Sequence, residues 1–207
     1  TVEKKDKNDK TKYKRVYNLD DEKDFNKLRQ NTDMTYDKID KDTKVLFVNG
    51  MDNNLKEAKS SQESIQKDFG KTGLFNNHKD KVLGIVGDVI EWMPNYMTTK
   101  DVLNAHQLQK LKKGTPVITH SAGNEDIYKA NKINKMLNAK TPYKNISVGS
   151  PLSSTKLKES LYKVDATFIK QINHENDPVA NGLLNEDANY EVKDGLIDDI
   201  EKNHPFE

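Results

Sequence analysis

The 207-residue chain contains no cysteine. It therefore has no disulfide framework, no thiolate-held metal centre and no thiol nucleophile. It has one Trp and six Pro, and only 33% of its residues are hydrophobic. The mean hydropathy is −0.94. No stretch approaches the ~20 consecutive apolar residues of a membrane-spanning helix. An excess of one charge sign is also missing: 34 Lys and Arg stand against 33 Asp and Glu, a net charge of +1. That balance gives no general attraction to nucleic acid or to an anionic membrane. It argues against a nuclease, as does the lack of a carboxylate and His cluster at metal-binding spacing. No signal peptide, internal repeat or dividing linker is visible. The chain starts at Thr1 rather than Met, which leads us to expect a processed product or a piece of a larger protein.

With so few apolar residues, their clustering marks the core. Residues 1–43 are mostly charged and read as an N-terminal extension, partly flexible, with a short strand over 13–19 and a helix over 20–30. Five short β-branched-rich runs follow, at 44–50, 81–89, 115–120, 145–149 and 166–172. Most end at Gly, Asn or Asp. Near-continuous apolar runs are the mark of strands covered on both faces. Between them lie helix-length segments at 55–69, 99–113, 125–138 and 155–161. The alternation predicts an α/β fold over 44–207, with a single mostly parallel sheet of about five core strands and helices on both faces.

The third run delivers Thr119-His120-Ser121-Ala122-Gly123, and a helix pattern begins at once. A strand, a sharp turn with Ser at its tip and a helix is the arrangement that presents a hydroxyl above a sheet edge. The small Ala122 and Gly123 allow strand and helix to approach. The N–H groups of the helix N-terminus would face a developing oxyanion.

On these residues the chain resembles the α/β-hydrolases of the lipase and esterase kind, at the compact size of cutinases. The family pattern is Gly-x-Ser-x-Gly, and here Thr119 replaces the first Gly. The resemblance implies a serine esterase or lipase acting on an acyl ester, lipid esters foremost, through an acyl-enzyme and with no metal or organic cofactor. In the family the acid and the His follow the Ser in chain order, which assigns Asp177, in Asn176-Asp177-Pro178, and His204. The backbones of Ala122 and Met51 would form the oxyanion hole. Trp92, Met93 and Tyr96 read as ordinary core or as the lining for an acyl chain.

Other readings stand beside this one. The chain could be a non-catalytic binding module on the same fold. It could also be a toxin or effector domain of a secreted bacterial protein, with an immunity or other partner protein. His174 rivals His204 as base and lies three residues before Asp177. His120 reads as packing, and His78 and His106 as solvated surface. Gly70-Lys71-Thr72-Gly73 is not a phosphate loop, since Ile65 occupies the position of the first Gly. The acidic stretches at 6–10 and 194–199 lack calcium-loop spacing.

Overall fold

The computed structural model describes residues 2–5, 12–15, 17–30, 32, 34–37, 39–50, 55–77 and 97–173. The first two strands, β1 (Val2–Lys5) and β2 (Lys12–Arg15), form a two-stranded antiparallel sheet. Helix α1 (Glu22–Arg29) follows, its first turn capped by the Asp21 carboxylate, which accepts from Lys23 N and Asp24 N at 3.0 Å. Then come β3 (Met34–Tyr36), β4 (Val45–Asn49), α2 (Leu55–Phe69) and β5 (Thr72–Asn77). The chain continues through α3 (Thr99–Gln109), β6 (Pro116–His120), α4 (Gly123–Met136), β7 (Lys144–Val148), α5 (Ser154–Tyr162) and β8 (Thr167–Ile172).

Six strands form one mixed sheet in the order β3-β5-β4-β6-β7-β8. β5, β4, β6, β7 and β8 are mutually parallel, and β3 closes one edge antiparallel to β5. Strand alternation gives each face its own core. Leu46, Val48, Phe75 and Val117 point to one side, where they join Leu103, Leu108, Ile127, Ala130, Ile133 and Leu161 of α3, α4 and α5. Val45, Phe47 and Leu74 point to the other, where Ala58 and Ile65 of α2 cover them. The predicted α/β sheet with helices on both faces is therefore present.

The order has a reversal. From β4 the chain moves one way, through α2 to β5; it then returns to β6 on the other side of β4 and moves away through α4 and α5. Right-handed crossovers in opposite directions place their helices on opposite faces. The strand order therefore switches between β4 and β6, and the carboxyl ends of strands at such a switch point are where open α/β sheets bind ligands.

Four of the five expected runs are β4, β6, β7 and β8. The run at 81–89 lies outside the described residues. Strand β5 was not foreseen, because Thr72, Gly73, Asn76 and Asn77 do not resemble a buried strand. Gly73 has a packing reason: a Cβ there would lie 2.8 Å from Ile39 Cδ1. Asn76 is buried because Asn49 Nδ2 donates to its Oδ1 at 2.8 Å. Residues 17–43, read as part of an extension, contribute Leu19, Phe25, Leu28, Met34, Tyr36 and Ile39 to the larger core cluster. Tyr36 meets Phe75 and Phe25 edge-on, with ring centroids 4.9 and 6.1 Å apart. The charged composition hid this strip, whose apolar residues are few but all turned one way. No helix among the described residues is long and apolar enough to cross a membrane.

Phe47 is 1% exposed beneath α2, whereas Phe69 at the end of that helix is 39% exposed. Phe47→Ala should cost about 3–5 kcal/mol of unfolding free energy, and Phe69→Ala within about 1 kcal/mol of none. Urea titration of the two variants measures both, and equal losses would contradict the two-faced core.

Candidate active site around Ser121

Only Ser121 and Ala122 separate the end of β6 from the start of α4. So short a reversal requires a left-handed residue, and Ser121 supplies it with φ +51°. This region is costly for a residue with a Cβ unless the surroundings enforce it. Ser121 N donates to Val148 O of the neighbouring strand at 3.0 Å. The Ser121 side chain lies at a partly exposed position, while residues 122–127 are buried. Among the described residues none hydrogen-bonds its Oγ.

The turn rests against the end of β4. A Cβ on Gly50 would lie 2.5 Å from Ala122 N and 2.8 Å from His120 O. A Cβ on Gly123 would collide with Val48 O. Both positions therefore require Gly, and the Gly of the Ser-x-Gly motif has a steric reason. Among the described residues nothing accepts from the Ala122 or Gly123 N–H. These groups stand at the N-terminus of α4, beside Gly50, where the helix dipole favours negative charge.

Beneath the turn lies a buried polar network that sequence reasoning missed. The Asn124 amide donates to Ser121 O at 2.9 Å and to Val148 O at 3.1 Å. Its oxygen accepts from the hydroxyls of Thr119 and Ser147. Thr119 Oγ1 in turn accepts from Asn145 Nδ2 at 3.2 Å. All four residues are at most 1% exposed. The Thr in place of the family's first Gly thus has a partner in the helix it supports. His120 turns toward β4, with its Nδ1 3.2 Å from Asn49 Oδ1. The only signals for these partners were Asn residues closing strand runs or following the Ser motif.

The remaining predicted site residues, Met51, Trp92, Met93, Tyr96, Asp177 and His204, lie outside the described residues, as do His78 and the rival His174. Only Ser121 and Ala122 are brought together. His106 is not the solvated side chain we expected. It packs on Phe25 with centroids 6.2 Å apart and stands 3.4 Å from Asp20 Oδ1. Burial first, then Lys110, lowers its pKa. Asp165 pairs with Lys140 at 3.0 Å and precedes β8. In a parallel sheet that is the edge opposite Ser121. The carboxyl end of β8 is on the Ser121 side: His120 pairs with Val148, and Val148 with Ile172. No protein-family model matches the chain, and comparison with curated proteins and with solved structures finds no match.

Charge is concentrated at the start of α4. Glu125, Asp126 and Lys129 are each at most 5% exposed, and Asp101 of α3 is fully buried. Lys100 Nζ reaches Asp126 Oδ1 at 3.0 Å, and Lys129 Nζ stands 3.9 Å from Glu125 Oε1. Burial raises the Asp101 carboxyl. Burial, only partly offset by Lys129, raises Glu125 from 4.5 to about 7. Among the described residues no group of three or more His, Asp and Glu could hold a metal ion.

The Glu125 shift has a definite sign. The folded chain holds a proton that the unfolded chain releases, so this contribution is fully present below pH ~4.5 and is lost as pH rises through about 7. At 1.36 kcal/mol per pKa unit the loss is on the order of 3 kcal/mol. Glu125→Gln should flatten that part of the stability profile between pH 4.5 and 7.5. Parallel profiles for wild type and variant in urea titrations would show that Glu125 is not the group responsible.

Proposed function

We propose that the chain is a serine hydrolase of the α/β-hydrolase kind that cleaves an acyl ester through an acyl-enzyme. The observation that carries this reading is Ser121 itself: a left-handed Ser at a strand–helix turn, at the N-terminus of α4 and at the carboxyl end of β6, beside which the strand order reverses. A Ser hydroxyl needs a base to take its proton as it attacks the carbonyl. His204 is assigned that role, and Asp177 holds the imidazole and stabilises its charged form. The tetrahedral oxyanion would be met by the Ala122 N–H and by the backbone N–H of Met51, the residue after Gly50. Collapse of the tetrahedral intermediate would break the ester C–O bond and expel the alcohol, which takes the proton from His204. Water, deprotonated by His204, would then attack the acyl-enzyme and release the acid, with the proton returned to Ser121.

Two features support the assignment. Gly50 lies against Ala122 N, so the loop after β4 starts where a second oxyanion donor is needed. The chain leaves β8 on the Ser121 edge, five residues before Asp177. Trp92, Met93 and Tyr96 are proposed to line the acyl chain, which favours a lipid ester. A partner protein belongs to the same proposal.

Labelling with a fluorophosphonate probe tests the reading. Wild type should be modified at Ser121, and Ser121→Ala should lose both labelling and hydrolysis of a short-chain aryl ester while remaining folded. Asp177→Asn should lower turnover by about 10⁴-fold, as expected when the wrong His tautomer is favoured. His204→Ala should cost about as much as Ser121→Ala, because triad members act as a unit, and His174→Ala far less. Wild type that is neither labelled nor active would leave the fold as a binding module, and Ser121→Ala hydrolysing as well as wild type would remove Ser121 as the nucleophile.

A further inference from the structure

We infer that Asn124 is a positioning residue for the proposed nucleophile: its side chain holds Ser121 in the left-handed conformation that aims the hydroxyl out of the sheet. The inference rests on the serine hydrolase reading for its catalytic consequence, though not for its geometry. Ser121 O receives two bonds from this one residue, from Asn124 N at 3.0 Å and from Asn124 Nδ2 at 2.9 Å. Val148 O likewise receives two, from Ser121 N at 3.0 Å and from Asn124 Nδ2 at 3.1 Å. The amide therefore bridges Ser121 O to Val148 O of β7, the same carbonyl that accepts from Ser121 N.

The orientation of that amide is itself determined. The hydroxyls of Thr119 and Ser147 both donate to Asn124 Oδ1. The oxygen must face them and the NH₂ must face the two carbonyls, since the flipped amide would oppose acceptor to acceptor. Each hydroxyl comes from a different parallel strand, β6 or β7, at positions paired in register. The neighbouring strands β6 and β7 thus set the amide, and the amide sets the turn. The network is buried, so water cannot replace a lost partner, and misplacing a reacting group by about 1 Å can cost on the order of 100-fold in rate.

Asn124→Asp separates this role from simple packing. The shape is kept, the Thr119 and Ser147 hydroxyls still have an acceptor, and only the donor to Ser121 O and Val148 O is removed. At pH 8 the variant should react with the fluorophosphonate about 100-fold more slowly than wild type. The deficit, taken as a wild-type-to-variant ratio at each pH, should narrow toward pH 5 as the carboxyl gains a proton it can donate. A Thr119→Val/Ser147→Ala variant, which frees the amide to turn, should be slowed with no such pH trend and serves if the Asp variant does not fold. A crystal structure of either variant should find Ser121 out of its left-handed φ. Unchanged labelling rates together with an unchanged Ser121 φ would overturn the inference. Wild type that is not labelled at Ser121 would overturn the hydrolase reading instead, and the φ of the variants would then decide the role of Asn124 alone.

Discussion

The end of β4 and the turn after β6 touch backbone to backbone. Gly50 and Gly123 are the two places where even a methyl group has no room. Much of the rest depends on that approach. It brings the first turn of α4 over the sheet edge, buries Ala122, and leaves the Ser121 side chain partly exposed. The strand order requires the same contact, because β4 and β6 are the neighbours between which the chain reverses direction. Fold and candidate site are therefore consequences of one packing relation.

The parts of this arrangement that were legible in the sequence are those carried by local pattern. The apolar runs that became β4, β6, β7 and β8 were plain because Val, Ile, Leu and Phe dominate them, and helix α2 fills the helix-length segment expected at 55–69. Ser121 was legible because a strand, a small-residue turn and a helix succeed each other within a few positions. Strand β5 was not, because what buries Asn76 is a hydrogen bond to Asn49, from a segment far away in sequence. The strip from Leu19 to Ile39 was hidden for a related reason. Its scattered apolar residues become a surface only once α1 and β3 are placed against the sheet.

Buried polarity is the recurrent theme of this chain. Asn49, Asn76, Asn104, Asn124, Asn131, Asn134 and Asn145 are all at most 1% exposed. Most are tied to a strand or helix other than their own: Asn131 Oδ1 accepts from the Tyr143 hydroxyl at 2.9 Å, and Asn134 Nδ2 donates to Ala105 O at 3.2 Å. An abundance of Asn that reads as compositional habit is thus partly structural. Asn76 Nδ2, Asn104 Oδ1 and Asn145 Oδ1 have no partner among the described residues. A low share of hydrophobic residues is tolerated where interior amides are paired on at least one side, since a buried hydrogen bond offsets most of the desolvation cost that an unpaired one would impose. Such contacts are directional, so they specify which elements meet as well as how strongly.

The pairing of β4 with β6 joins residues far apart along the chain: Leu46 stands opposite Val117. The other parallel neighbours, β4 with β5, β6 with β7 and β7 with β8, are each linked through a single intervening helix. Contacts between distant residues carry the larger loop-closure cost and tend to form late. Two halves that grow locally and then join along β4 and β6 are the assembly this topology implies, and pulsed hydrogen exchange at the Leu46 and Val48 amides would register the joining. Ser121 lies on that seam. A chain arrested before the halves meet carries the Ser121 hydroxyl without the wall that Gly50 provides, so any chemistry at this site is withheld until folding is complete.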